Sequence, residues 1–294
     1  MLSLSLVAYV LAISAFAGPE KPPPPAPLVP PALARVAVIG AEITDGFVPP
    51  LEADAISLAD VIAATCTRPG AEPPLLRSST LFFRDPVGYG RRYARSAAEH
   101  EPSMVVAIDF LFWFGYGFAA DEGDRVRRLE KGLELLAPFE CPLLVGTIPD
   151  LRVAATDEVE LSATSTISPW QIPAAESLAK LNARIEEWAA ARENVHLVPV
   201  AEFVRKARAG EELLLHRSRW ADDELPGLLD GDRLPATLDG TVALTILMLH
   251  TLATADASFD AEGLVWDKIQ LRERVLEART RSQRPRDEKA EEGR

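Results

Sequence analysis

The chain has 294 residues, enough to bury one sizeable α/β core, and its 48% apolar and 7% aromatic content excludes wholesale disorder. Its formal net charge is −13. Such a surface repels phosphate backbones and anionic lipid, so we expect neither nucleic acid nor a membrane surface as a partner.

The N-terminus predicts export. Residues from Leu2 to Ala12 are almost all apolar or small, and Ala15-Phe16-Ala17 has the small-x-small pattern of a signal peptidase site. The apolar run is shorter than the about 20 residues of a membrane span. We therefore expect a signal peptide over residues 1–17, a periplasmic, envelope or extracellular location, and no stable membrane insertion after its removal. An apolar N-terminal arm is the alternative.

Composition divides the rest of the chain into three parts. Proline dominates residues 18–34, which predicts an extended linker outside the core. A globular domain is expected over residues 35–256. Residues 257–294 are highly charged and mixed in sign, which predicts a partly helical tail that is solvated beyond residue 281.

Within the domain, short apolar runs alternate with segments of helical spacing. The predicted strands are 35–40, 79–83, 104–114, 142–148 and 195–200. The predicted helices are 57–66, 89–101, 124–139, 174–192, 240–250 and, in the tail, 264–276. This alternation predicts an α/β fold with a mostly parallel five-strand sheet, whose functional crevice lies beyond the carboxyl ends of the strands.

Cysteine and histidine do not indicate a metal centre. The two cysteines and four histidines have no metal-ligand spacing, so neither a metal nor another cofactor is expected. Cys66 and Cys141 either form one disulfide in an exported chain or remain as two buried thiols.

The loop after the first predicted strand carries a recognisable motif. It begins at Gly40 and reads Gly-Ala-Glu-Ile-Thr-Asp-Gly. This resembles the first signature block of the SGNH (GDSL) hydrolases, Gly-Asp-Ser-x-Thr-x-Gly. Gly40, Thr44 and Gly46 match, whereas Ala41 replaces the aspartate and Glu42 replaces the nucleophilic serine.

A second match lies near the last apolar helix. Asp232 corresponds to the triad aspartate of the family's final block, Asp-x-x-His-Pro, and Pro235 and Gly240 match the residues that follow. The histidine expected before Pro235 is absent. The resemblance covers roughly residues 35–255. It implies a three-layer, flavodoxin-like fold and descent from ester or acyl hydrolases that act on lipid, carbohydrate or peptidoglycan esters.

The middle blocks of the family match less well. Gly88 or Gly90 falls where the family places a glycine whose amide contributes to the oxyanion hole. The family's Gly-x-Asn-Asp block supplies a second oxyanion donor from asparagine. The equivalent stretch here contains no asparagine, and Asp109 brings a carboxylate to that position instead.

These departures predict that ordinary serine-esterase chemistry is lost. That mechanism needs a hydroxyl nucleophile, a base to take its proton and an aspartate to orient the base. Losing one oxyanion donor alone typically slows the reaction by about 10²–10³. A carboxylate beside the developing oxyanion should raise the barrier further.

Three roles remain open for Glu42. In the first interpretation, its carboxylate is the nucleophile, which needs no histidine. In the second, it forms an acid/base pair with Asp109 or Asp45, with pKa values separated by mutual repulsion. In the third interpretation, Glu42 only caps the helix after the first strand.

Other residues are weaker candidates. His216 might replace the missing histidine, although a surface position is the simpler interpretation, and His196 and His250 are expected to pack in the core. Ser78-Ser79-Thr80 is explained by strand chemistry. In the aromatic run 110–118, the first half is expected in the core, and the second half might line an apolar or sugar-stacking pocket.

Taken together, these features predict an exported pseudo-hydrolase that binds a small ester, lipid or carbohydrate ligand. The alternatives are an active ester hydrolase with altered machinery centred on Glu42, and a structural module of the envelope. Whether the chain is an enzyme stays open at this point.

Overall fold

The computed structural model describes most of the predicted domain and part of the tail. The described residues are 29–46, 56–67, 70–152, 171–221, 223–229, 237–259 and 261–291, with side chains up to Arg281. The predicted signal peptide, most of the linker and Asp232 lie outside the described residues.

A five-stranded, wholly parallel sheet forms the centre of the fold. The strands are Val36–Ile39 (β1), Leu75–Arg77 (β2), Met104–Ala107 (β3), Leu143–Gly146 (β4) and Val195–Val198 (β5). Their order across the sheet is β2-β1-β3-β4-β5. This is the flavodoxin-like order, so the predicted α/β class and five-strand sheet are confirmed. A separate antiparallel hairpin contains Leu213–Leu215 (β6) and Ser218–Trp220 (β7).

Helices cover the sheet to give a three-layer α/β structure. In chain order they are Glu42–Asp45 (α1), Leu58–Thr65 (α2), Pro86–Glu99 (α3), Phe112–Gly115 (α4), Glu122–Leu136 (α5), Ala175–Ala190 (α6), Val200–Ala209 (α7), Leu238–Ala255 (α8) and Lys268–Glu291 (α9). Helices α3, α5 and α6 pack together, as do α2, α8 and α9. The central strands β1, β3 and β4 are buried throughout, as the continuous apolar runs predict.

Two predicted strands differ from the structure. The second strand is Leu75–Arg77 rather than 79–83, and Phe82–Arg84 forms a 3₁₀ turn. The third strand ends at Ala107, and the aromatic residues after it continue as helical turns that include α4. The error at the third strand arises because a run that is buried on all sides has no periodicity to distinguish strand from helix. The segment 79–83 is partly exposed, with Leu81 42% exposed, so this reason does not apply to it.

The structure also contains elements that were not predicted, and one helix is longer than predicted. Helix α7 and the β6–β7 hairpin were not predicted, and α9 continues to Glu291 rather than ending at residue 276. Val29 and Leu33 are buried in the core, so the described end of the proline-rich segment belongs to the packed structure.

The long apolar helix α8 is a core element. Within the described residues, α8 alone is long and apolar enough to cross a bilayer, and 67% of its length is buried. It packs against β5, β6, α2 and α9. Its apolar composition is therefore accounted for by this packing.

The two cysteines do not form a disulfide. Cys66 ends α2, and Cys141 precedes β4; both are half-buried thiols. Burial raises the pKa of the Cys141 thiol.

Candidate functional site

The motif after β1 folds around a carboxylate supplied by the neighbouring strand. Asp109 follows β3, is 5% exposed, and accepts hydrogen bonds from the amides of Ala41 and Thr44, each at 3.1 Å. The Thr44 hydroxyl donates to the same carboxylate at 2.5 Å. Asp109 thus satisfies amides at the start of α1 that no residue within α1 caps.

Glycine is required at two positions of the motif, because neighbouring atoms lie too close to leave room for a side chain. A Cβ atom on Gly40 would lie 1.9 Å from Oδ1 of Asp109 and 2.3 Å from Oγ1 of Thr44. Gly46 has φ +92°, and a Cβ there would lie 1.9 Å from the carbonyl oxygen of Ile56. Gly40, Thr44 and Gly46, the residues that match the SGNH block, therefore all help to position α1 at the end of β1.

Gly40→Ala should consequently lower the free energy of unfolding by at least about 2 kcal/mol, because the added methyl group displaces Asp109 or Thr44. Urea titration of the purified chain measures this loss. Gly227→Ala is the matched control, since a Cβ at Gly227 would meet no atom within 4 Å. Equal stability of the two variants would contradict the packing around Gly40.

Glu42 begins α1 and does not cap it. The N-cap residue is Ala41, and no side chain within α1 makes a capping hydrogen bond. The residue that caps α1 is therefore Asp109 and not Glu42. The Glu42 carboxyl is half-buried, and its pKa rises from an ordinary 4.5 to about 7, first through burial and then through the charges of Asp109 and Asp45. A carboxyl group with a pKa near 7 holds a proton about half of the time at neutral pH.

Hydroxyl groups surround the other end of α1. The Ser78 hydroxyl donates to Asp45 at 2.6 Å, and Ser79 hydrogen-bonds with Tyr93. Burial raises the pKa of Tyr93. The sequence interpretation of the serine cluster as strand chemistry is wrong, because these serines follow β2 and contact α1 and α3. No sequence signal indicated this contact, because the strand was predicted at 79–83 and the serines were placed at its beginning.

The two glycines predicted for the oxyanion region, Gly88 and Gly90, both have structural roles in α3. The amide of Gly88 donates to the side chain of Asp85, the N-cap of α3, at 2.9 Å. Gly90 lies within α3, where a Cβ would sit 3.0 Å from the Phe110 ring. In this geometry the Gly88 amide is engaged by Asp85, and Gly90 serves helix packing.

The aromatic run after β3 belongs almost entirely to the core. Trp113, Phe114 and Tyr116 are fully buried, and the Tyr116 hydroxyl donates to the carbonyl of Pro149 at 2.8 Å. Phe118 is 70% exposed. The second half of the run therefore lines neither of the two cavities described below, and Phe118 is a solvent-exposed side chain.

His216 lies at the far end of α2 from Glu42. It stacks on Trp266 at 3.9 Å, and nearby Leu264 bridges to Cys66 at the end of α2. Glu42 is close to the beginning of α2, because Gly46 approaches Ile56 just before that helix. These contacts connect His216 to the C-terminal end of α2 and Glu42 to its beginning.

Two of the three other histidines, His196 and His250, were predicted to pack in the core. His196 in β5 is 8% exposed, and burial lowers its pKa. His250 lies on α8, is half-buried, and contacts the ring of His216 at 5.8 Å.

Two cavities lie in the described structure near sheet elements. One, of about 510 Å³, lies between α2 and the β1–β2 side of the sheet and includes Asp45 in its wall. The other, of about 750 Å³, lies between α6 and α7 beyond the ends of β4 and β5. Neither cavity is lined by Glu42 or Asp109.

The described part of the chain contains no group of three or more His, Cys, Asp or Glu side chains arranged to hold a metal ion. The carboxylates around α1 accept hydrogen bonds from amides and hydroxyls instead. The position of Asp232 relative to Glu42 lies outside the described residues.

The sequence missed the central contact of the site. The Asp109–Thr44 pair joins residues 65 positions apart, and no local pattern marks such a pair. Asp45 was named as a partner of Glu42, and its charge does raise the pKa of Glu42. Its contact with Ser78 was not anticipated.

No family model matches the chain, and no curated protein is similar enough in sequence to count as a relative. Among solved structures, the chain is similar to a gut microbial diltiazem-metabolizing enzyme, with a TM-score of 0.47 and 11% sequence identity. The superposition covers 75% of this chain and 47% of that enzyme. The chain therefore spans about half the length of this distant structural neighbour.

Proposed function

We propose that this chain is an exported, SGNH-hydrolase-like protein that has lost serine ester hydrolysis and keeps the crevice beyond β1 and β3 as a binding site. The candidate ligand is a small ester, lipid or carbohydrate. One observation supports the loss of activity above the others: the Asp109 carboxylate is bound into the motif at the position next to Glu42.

The hydrogen bonds between Asp109 and the motif are unfavourable for acyl transfer through a tetrahedral oxyanion. Such an intermediate needs hydrogen-bond donors aimed at the developing negative charge. Two amides of this motif, those of Ala41 and Thr44, donate to Asp109. An oxyanion formed here would lack these donors and would lie close to carboxyl groups of the same sign.

An esterase assay tests this proposal. The purified chain is incubated with short-chain nitrophenyl esters and acetylated sugars, beside Glu42→Ala. We expect turnover no faster than with an equal mass of serum albumin, and no difference between the chain and the variant. Turnover that Glu42→Ala abolishes would overturn the proposal.

An altered hydrolase centred on Glu42 is the second candidate. The observation that favours it is the half-buried carboxyl at the carboxyl end of β1, whose pKa of about 7 suits a general acid or base. This candidate predicts a rate that changes with pH around 7 and a loss of that dependence in Glu42→Gln. A flat, albumin-like rate across this range would reject it.

A further inference from the structure

The cavity between α2 and the β1–β2 side of the sheet has the size of a small-molecule site. Its volume is about 510 Å³, within the roughly 300–1,000 Å³ range of ligand pockets. Much of its wall is apolar, with Val36 and Leu76 from the sheet and Ile62 from α2. An organic group can therefore bury apolar surface there.

The ionisable groups that line this cavity are acidic, apart from one thiol. They are Asp45, Asp60 and Glu72, together with Cys66. Glu72 forms an ion pair with Arg35 at 3.0 Å, so its charge is compensated. Asp45 and Asp60 have a different environment.

Neutral groups hold these two aspartates in place. Ser78 donates its hydroxyl to Asp45 at 2.6 Å. Asp60 accepts the amide of Ser57 at 2.8 Å and its hydroxyl at 2.7 Å in the capping box of α2. These bonds orient the carboxylates without cancelling their charges, although the positive end of the α2 dipole offsets part of the charge on Asp60.

We propose that this cavity binds a small organic cation, an amine with an apolar body, whose charged end lies against Asp45 and Asp60. Burial of the apolar body against the sheet and attraction between ammonium and carboxylate act together. The inference goes beyond the proposed function, because neither Glu42 nor Asp109 lines this cavity. The outcome of the esterase assay does not bear on it.

Three probes with one apolar body and different charge test the proposal: phenylbutylamine, phenylbutanol and phenylbutyrate. Binding to the purified full-length chain is measured by calorimetry at neutral pH and low salt. We expect the amine to bind most tightly and the carboxylate least. Equal affinity for the amine and the alcohol, or tighter binding of the carboxylate, would overturn the proposal.

Variants connect the preference to the two aspartates. Asp45→Asn and Asp60→Asn keep an acceptor oxygen for the serine partners, and each should weaken binding of the amine about two- to fivefold while leaving the alcohol unchanged. Glu186→Gln is the matched control, because Glu186 lines the other cavity. A loss in Glu186→Gln equal to that in Asp45→Asn would reject the assigned site.

Cysteine alkylation locates the bound amine independently. Cys66 lines the cavity, whereas Cys141 lies before β4 and is absent from its wall. Bound phenylbutylamine should slow iodoacetamide modification of Cys66, measured by mass spectrometry, and leave the rate at Cys141 unchanged. Unchanged modification of Cys66 at saturating amine would contradict the proposal even if the amine binds elsewhere.

Discussion

Asp109→Ala is expected to lower the free energy of unfolding by about 3 kcal/mol, because it leaves three donors at α1 without their acceptor. These donors are the amides of Ala41 and Thr44 and the hydroxyl of Thr44. The loss of stability is smaller than the summed cost of three unsatisfied donors, because the variant also avoids the cost of burying the Asp109 carboxylate. Urea unfolding, followed by circular dichroism, measures the change.

A double-mutant cycle separates the contact from a general packing defect. Thr44→Val removes the hydroxyl donor and preserves the size of the side chain. If the Asp109–Thr44 bond is the cause, the double variant should lose about 1 kcal/mol less than the sum of the single losses. Asp109→Asn gives a second measurement should Asp109→Ala fail to fold. Additive effects, or a loss in Asp109→Ala below about 1 kcal/mol, would contradict the proposed capping role.

Glu42→Gln is expected to stabilise the protein at alkaline pH and to have little effect in acid. The folded chain holds the Glu42 proton up to a pKa of about 7, whereas the ordinary value is 4.5. Between these two values the unfolded chain has released a proton that the folded chain retains, so the stability of the unmodified protein falls as pH rises through this window. Glutamine does not ionise and avoids that loss.

The expected gain is about 2 kcal/mol at pH near 8 and close to zero near pH 4, after allowing for the partial exposure of Glu42. Urea unfolding of both proteins across this pH range gives the difference directly, because the titration of all other groups cancels. Glu99→Gln, at an exposed position at the end of α3, is the matched control for replacing a glutamate by glutamine. A difference between Glu42→Gln and the unmodified protein that does not vary with pH would show that Glu42 titrates normally.

Local patterns predicted most of the architecture. The runs that became β1, β4 and β5 are continuous, apolar and bounded by turns or helices, and their alternation with amphipathic helices predicted a parallel sheet. The same argument failed at the segments 79–83 and 104–114. There, aromatic rings pack on one another, with Phe82 and Phe110 centred 5.6 Å apart, and packing of this kind suits a turn as well as a strand.

The sequence by itself determined that the chain folds as α/β and that serine and histidine are missing from the positions where the SGNH resemblance expects them. Only the tertiary structure decided the role of Asp109, which reaches from β3 to hold the Gly40–Gly46 motif. The physical reason is that hydrophobic periodicity reports which residues are buried, whereas the partner of a buried polar group is chosen by strand order. Glu42, which stands where the resemblance expects a serine, has a raised pKa first because it is buried and then because of the charges of Asp109 and Asp45.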